Sequence, residues 1–185
     1  PIPVKLASAS AEEALLASVS AHSIFVADVD SGATLLAKNE QQPLYPASTT
    51  KLMTALVAVK EYDLNEIFQA SASAFTEGSA LGIELGDSFS VRDLLAALLI
   101  SSSNDAAMLL AAGHPQGMSG FVGAMNDMAA QLSLTSTTFN NPSGLDAPGH
   151  QSTAKDLAWL ARAVMSEPVL RELVGTSEKI IFDST

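Results

Sequence analysis

Apolar and polar positions run in blocks along the chain, and the blocks predict a protein of mixed helix and strand. Residues 10–19, SAEEALLASV, read as a short helix with acids in its first turn and Ser10 as its cap. Apolar runs at 23–29 and 33–37 flank Asp30-Ser31-Gly32, the signature of a hairpin. Pro46 then stands where a helix start needs no N–H, and LMTALVAV predicts a largely buried helix behind it. From 63 to 90 the signals are short and mixed, with Gly78, Gly82 and Gly86 marking turns. Ser90, with Asp93 three residues on, caps a helix over VRDLLAALLI. A polar knot, SSSND, follows, and a further helix stops at Gly113. Ser119 is predicted to open GFVGAMNDMAAQLS, whose apolar residues fall at helical spacing. A turn-rich connector, TTFNNPSGLDAPGHQST, leads to a helix capped by Thr153 over AKDLAWLARAVM, and EKIIFD at 178–183 reads as a strand. Trp159, Met125, Met128 and Met165 occupy core-type helical positions.

Composition narrows the class. With 48% hydrophobic and 16% charged residues over 185 positions, the chain can bury a sizeable core as one domain or two interleaved lobes. Its net charge of -11 repels phosphate backbones and anionic headgroups, which argues against nucleic acid as a partner. The absence of cysteine removes disulfides, thiolate metal sites and cysteine nucleophiles. No apolar run reaches the length of a membrane span, and a start at Pro1 predicts a processed N-terminus. His22, His114 and His150 lack metal-ligand spacing, so no metal or other cofactor is expected.

The candidate chemistry lies in two stretches. In YPASTTKLMTALVAV, Ser48 and Lys51 are three apart and share a helix face. A lysine in so apolar a run must be paired, reach water or have a lowered pKa, and a desolvated amine is one of the few groups able to take a serine proton. A charge developing on Ser48 would also sit at the positive end of the helix dipole. The plainer alternative is a cap-region serine and a lysine that snorkels to the surface. In LLISSSNDAAMLLA, Ser102 and Asn104 could present a hydroxyl and an amide to a shared cleft, or Ser103 or Asn104 could simply cap the next helix.

Taken together, S-x-x-K followed by S-x-N belongs to the motif set of penicillin-interacting enzymes. YPASTTKLMTALVA, LLISSSNDAAMLLA and TTFNNPSGLDAPGHQSTAKDLAWLARAVM resemble, in that order, the signature regions of the serine D-alanyl-D-alanine carboxypeptidases, the low-molecular-mass penicillin-binding proteins. The resemblance runs from about residue 21 to the end. It implies an α/β (α+β) fold of the penicillin-binding protein and β-lactamase type, an antiparallel sheet flanked by helices with an inserted helical lobe. On that basis 1–61 and 150–185 form the sheet lobe and 62–149 the helical lobe. It implies Ser48 as acylated nucleophile and Lys51 as its base. Ser102 is implied as proton relay to the leaving amine, and Asn104 as a contact to Lys51 and to the substrate's peptide amide.

The implied reaction releases terminal D-Ala from peptidoglycan stem peptides, with β-lactams acylating the same serine outside the cytoplasm. A DD-endopeptidase using the same residues and a non-catalytic peptidoglycan or β-lactam binding module are the alternatives. The family's third motif, Lys-Thr-Gly, is missing, since none of Lys5, Lys38, Lys60, Lys155 and Lys179 begins such a triplet. The expectation is a C-terminally shortened chain that lacks the last sheet strands, shows no membrane anchor, and is weakly active unless a complementing C-terminal segment covers the gap.

Overall fold

The computed structural model describes residues 9–70 and 77–182. Pro1 and the last residue of EKIIFD, Asp183, therefore lie outside the described part. Helix α1 spans Ala9–Ser18, so Ser10 falls inside the helix instead of ahead of it. Strands β1 (Ile24–Ala27) and β2 (Thr34–Lys38) pair antiparallel, Phe25 opposite Ala37. The hairpin turn is closed by the Asp28 carboxylate, which accepts from the Ser31 N–H at 2.8 Å, and Gly32 supplies a left-handed φ of 72°.

Helix α2 (Thr50–Glu61) follows a short 3₁₀ turn at Ala47–Thr49. Its residues Met53, Ala55, Leu56, Val57 and Ala58 are all buried, because neighbours close it on several sides. These are α3 (Val91–Ile100), α4 (Asn104–Ala112), α5 (Gly117–Gln131) and α6 (Ala154–Ser166). A short antiparallel pair, β3 (Ile67–Gln69) and β4 (Ser88–Ser90), leads into α3. Helix α7 (Pro168–Val174) packs on α3 and α6. The buried apolar side chains form one continuous cluster running from α2 to α7. No helix among the described residues is long and apolar enough to cross a membrane.

The caps expected at Ser90 and Thr153 are present, and of the alternatives left open for the SSSND knot Ser103 does cap its helix. Ser90 accepts from the Asp93 N–H, Ser103 from the Ala106 N–H and Thr153 from the Asp156 N–H. Three expectations need correction. Helix α5 begins at Gly117 without a side-chain cap, so Ser119 lies within its first turn. Met165 is 43% exposed, because the apolar stripe of α6 is carried by Leu160 and Val164, and the residue after Val164 points about 100° away from that stripe. Residues 178–182 form no strand: a strand needs a neighbour's N–H and C=O groups, and none is paired with them among the described residues, so Ile180 and Phe182 are exposed. That segment is fastened instead by an ion pair from Lys179 to Asp93 at 2.7 Å.

Phe121 on α5 is fully buried, stacked on Tyr62 and edge-on to His114. Phe121→Ala should lower stability by about 3–5 kcal/mol, the usual cost of such a cavity, in urea unfolding. The same measurement on Val26→Ala, at a half-exposed strand position, should show a change below about 1 kcal/mol.

Candidate active site

The segment that enters α2 is constrained from both sides. Pro46 fixes φ ahead of the 3₁₀ turn, and Ala47 sits at a left-handed φ of 48°. Thr49 returns both its hydroxyl and its N–H to the Pro46 carbonyl. This sharp turn leaves Ser48 and Thr49 exposed while Thr50 and Lys51, two and three residues on from the serine, are buried.

Lys51 is only 2% exposed. Its Nζ donates to the Ser143 carbonyl at 2.8 Å and lies 3.3 Å from Ser48 Oγ. Among the described residues no carboxylate pairs with it, and burial holds its pKa below the usual lysine value. An amine so placed loses little on becoming neutral, and in that form its lone pair can accept the Ser48 proton. The snorkelling alternative is thereby excluded.

The carbonyl under Lys51 belongs to the 139–151 loop, which is built to bring it there. Asn141 Oδ1 accepts from the N–H groups of Ser143 and Gly144, and the Asn141 amide donates to the Leu145 carbonyl. Thr54 on α2 donates to the Pro142 carbonyl at 2.6 Å. Gly144, at φ 90°, runs so close beneath the serine turn that a β-carbon there would stand 2.0 Å from the Ala47 carbonyl oxygen. His150, buried at the far end of the loop, accepts from the Asn140 N–H through Nδ1 and places Nε2 2.9 Å from Thr50 Oγ1.

The second stretch forms a separate knot. Ser102 takes a left-handed φ of 57° between α3 and α4 and is half-buried. The Asn104 amide donates to the Glu77 carbonyl at 2.7 Å, and its backbone N–H to the Ser79 carbonyl. Among the described residues no hydrogen bond joins Ser102 or Asn104 to Ser48 or Lys51, so the implied Asn104–Lys51 contact is not made here. Beside them, Asp105 accepts from the Ser103 hydroxyl and from the N–H groups of Leu81, Gly82 and Ile83. Burial alone would raise its pKa, but these donors outweigh that and hold the carboxyl below its usual value.

A cavity of about 650 Å³ lies elsewhere, between the end of α5 and α6, and none of the four candidate residues lines it. Among the described residues no cluster of His, Asp and Glu side chains could hold a metal.

The order and spacing of these elements match a known family. The Peptidase_S11 family model, D-alanyl-D-alanine carboxypeptidase, covers residues 7–184. The chain belongs to that family. Among its relatives, the D-alanyl-D-alanine carboxypeptidase DacB2 of Mycobacterium tuberculosis is 43% identical over 81% of this chain and 52% of its own length. A D-alanyl-D-alanine endopeptidase of Pseudomonas aeruginosa is 36% identical over 86% of this chain and 52% of its own. The crystal structure of a D-alanyl-D-alanine carboxypeptidase from M. tuberculosis superposes with a TM-score of 0.79 at 42% identity, over 83% of this chain and 59% of that one. The fold is thus the penicillin-binding protein type expected from the motifs. The chain spans about half the length of the curated relatives it matches.

Four supports of this family member's site were not singled out as such from sequence: Asn141, Gly144, His150 and Asp105. Asn-Pro-Ser-Gly is a recognisable turn signal, but only the fold shows that the turn closes under Lys51. Asp105 is the last letter of the SSSND knot, and three of its backbone donors come from a segment more than twenty residues earlier.

Gly144→Ala should displace the serine turn and lower stability by more than about 2 kcal/mol, because both the contact and the positive φ resist a side chain. Urea unfolding would show this, with Gly123→Ala, where nothing crowds the new methyl, as the control. Asp105→Asn replaces one acceptor oxygen with an amide that faces N–H donors, so about 1–3 kcal/mol should be lost at pH 7. A carboxyl with a depressed pKa stabilises the fold above its unfolded value near ~4 and ceases to do so as pH falls through the folded value. The stability gap between wild type and Asp105→Asn should therefore narrow on acidification below pH ~4.

Proposed function

We propose that this chain carries the nucleophile half of a serine-type D-alanyl-D-alanine carboxypeptidase acting on peptidoglycan stem peptides outside the cytoplasm. The observation that supports this best is the buried Lys51 amine, which no carboxylate among the described residues neutralises, 3.3 Å from the hydroxyl of an exposed serine. In this reading Ser48 Oγ attacks the carbonyl of the penultimate D-Ala while Lys51 Nζ takes its proton. Ser102 relays a proton to the departing amine of terminal D-Ala, and water then hydrolyses the Ser48 ester. Asn104 binds the peptide amide of the substrate once its side chain leaves the Glu77 carbonyl. In the same reading the described residues within 1–61 and 150–185 belong to the sheet side of the cleft, and those within 62–149 to the helical side.

β-Lactams would acylate Ser48 in the same way, because opening the ring leaves the departing nitrogen tethered in the site. Incubation with benzylpenicillin followed by intact-mass measurement should give an adduct on the wild type and none on Ser48→Ala. Absence of the adduct would favour a non-catalytic binding module. Because the amine must be neutral to act, the labelling rate should rise with pH through a Lys51 pKa below the ordinary value near ~10.4. Lys51→Arg, which cannot lose its proton, should slow labelling by about 10²–10⁴-fold. Release of free D-Ala from a pentapeptide, against cleavage of a cross-linked dimer, separates the carboxypeptidase from the endopeptidase that the Pseudomonas relative's name suggests.

A further inference from the structure

His150 is one of the largest fully buried side chains in the molecule, and the proton transfer between Ser48 and Lys51 does not use it. Its two ring nitrogens have distinct partners. The Asn140 N–H can only donate, so Nδ1 is the acceptor and the neutral ring carries its proton on Nε2. That N–H points at Thr50 Oγ1, 2.9 Å away across a hundred residues of sequence. Thr50 is the first residue of α2 and the immediate neighbour of Lys51, and Asn140 lies three residues before the carbonyl that receives Lys51 Nζ.

The imidazole therefore joins the helix carrying the amine to the loop carrying its acceptor. Phe139 packs edge-on to the ring, and Asp146 is the charged group that acts on it, opposing a burial that otherwise favours the neutral form. Thr54 to Pro142, at the next turn of α2, is a second tie on the same loop. Cutting the imidazole tie would let the loop lift and admit water to Lys51, whose low pKa rests on burial alone.

We propose that His150 is a positioning residue for the Ser48–Lys51 pair, clamping the first turn of α2 to the 139–151 loop through Thr50 and the Asn140 N–H so that Lys51 stays dry and aimed at Ser48. The inference rests on the functional reading above for its effect on acylation, but not for its effect on Lys51.

The test follows the Lys51 titration by ¹³C NMR of its ε-carbon, assigned with Lys51→Arg, in wild type and His150→Leu. Loss of the clamp should move the titration upward by about one pH unit, which cuts the neutral amine at neutral pH about tenfold and slows benzylpenicillin acylation to match. His150→Gln offers a similar donor and acceptor on one side chain and should recover most of both properties, which a side chain needed only for bulk would not require. Should His150→Leu not fold, Thr50→Val breaks the same clamp from the other end, and Thr50→Ser restores it. A folded His150→Leu or Thr50→Val protein with an unmoved Lys51 titration overturns the proposal. If wild type fails to acylate, the functional reading falls, while the titrations still decide whether the clamp exists.

Discussion

One ammonium group placed in an apolar helix governs the architecture around the site. An unpaired lysine at 2% exposure is tolerable only if its charged form finds a hydrogen-bond acceptor or its neutral form is allowed. Here both routes are provided by the same short list of atoms: the Ser143 carbonyl for the charged form and the Ser48 hydroxyl for the neutral one. To bring that carbonyl under α2, the 139–151 loop is folded back by Asn141, pinned by Thr54 and His150, and pressed against Ala47 through Gly144. The rest of the core holds α2 in place between α3, α4, α5 and α6.

Polar groups carry the precision, whereas the apolar cluster carries the bulk. Helices α3, α4 and α6 each begin at a side-chain cap, and the SSSND knot is tied to the 77–83 segment by Ser79, Asn104 and Asp105 acting together. The turn that carries Ser48 and this knot are separate units, each braced by its own loop.

Much of this was legible in the chain itself. The hairpin, the buried helix after Pro46 and the three capped helices were set by period and cap chemistry, which act within a few residues. Ser48 and Lys51 were readable because a lone lysine in an apolar run is costly wherever it occurs. What stayed hidden depends on contacts between distant segments: His150 with Thr50, Asp105 with Leu81 to Ile83, and Gly144 with Ala47. EKIIFD shows the reverse failure, since strand propensity makes no strand without a paired edge, and among the described residues nothing pairs with 178–182.

The close approach of Gly144 to Ala47 also shapes how such a site can change over generations. A β-carbon at 144 collides with backbone, not with a side chain that could rotate away, so the position cannot drift gradually through small residues. The atoms in the way are main-chain atoms that any residue at 47 would carry, so no side-chain change there relieves the clash. The turn that carries Ser48 thus inherits its shape from a residue that has no side chain.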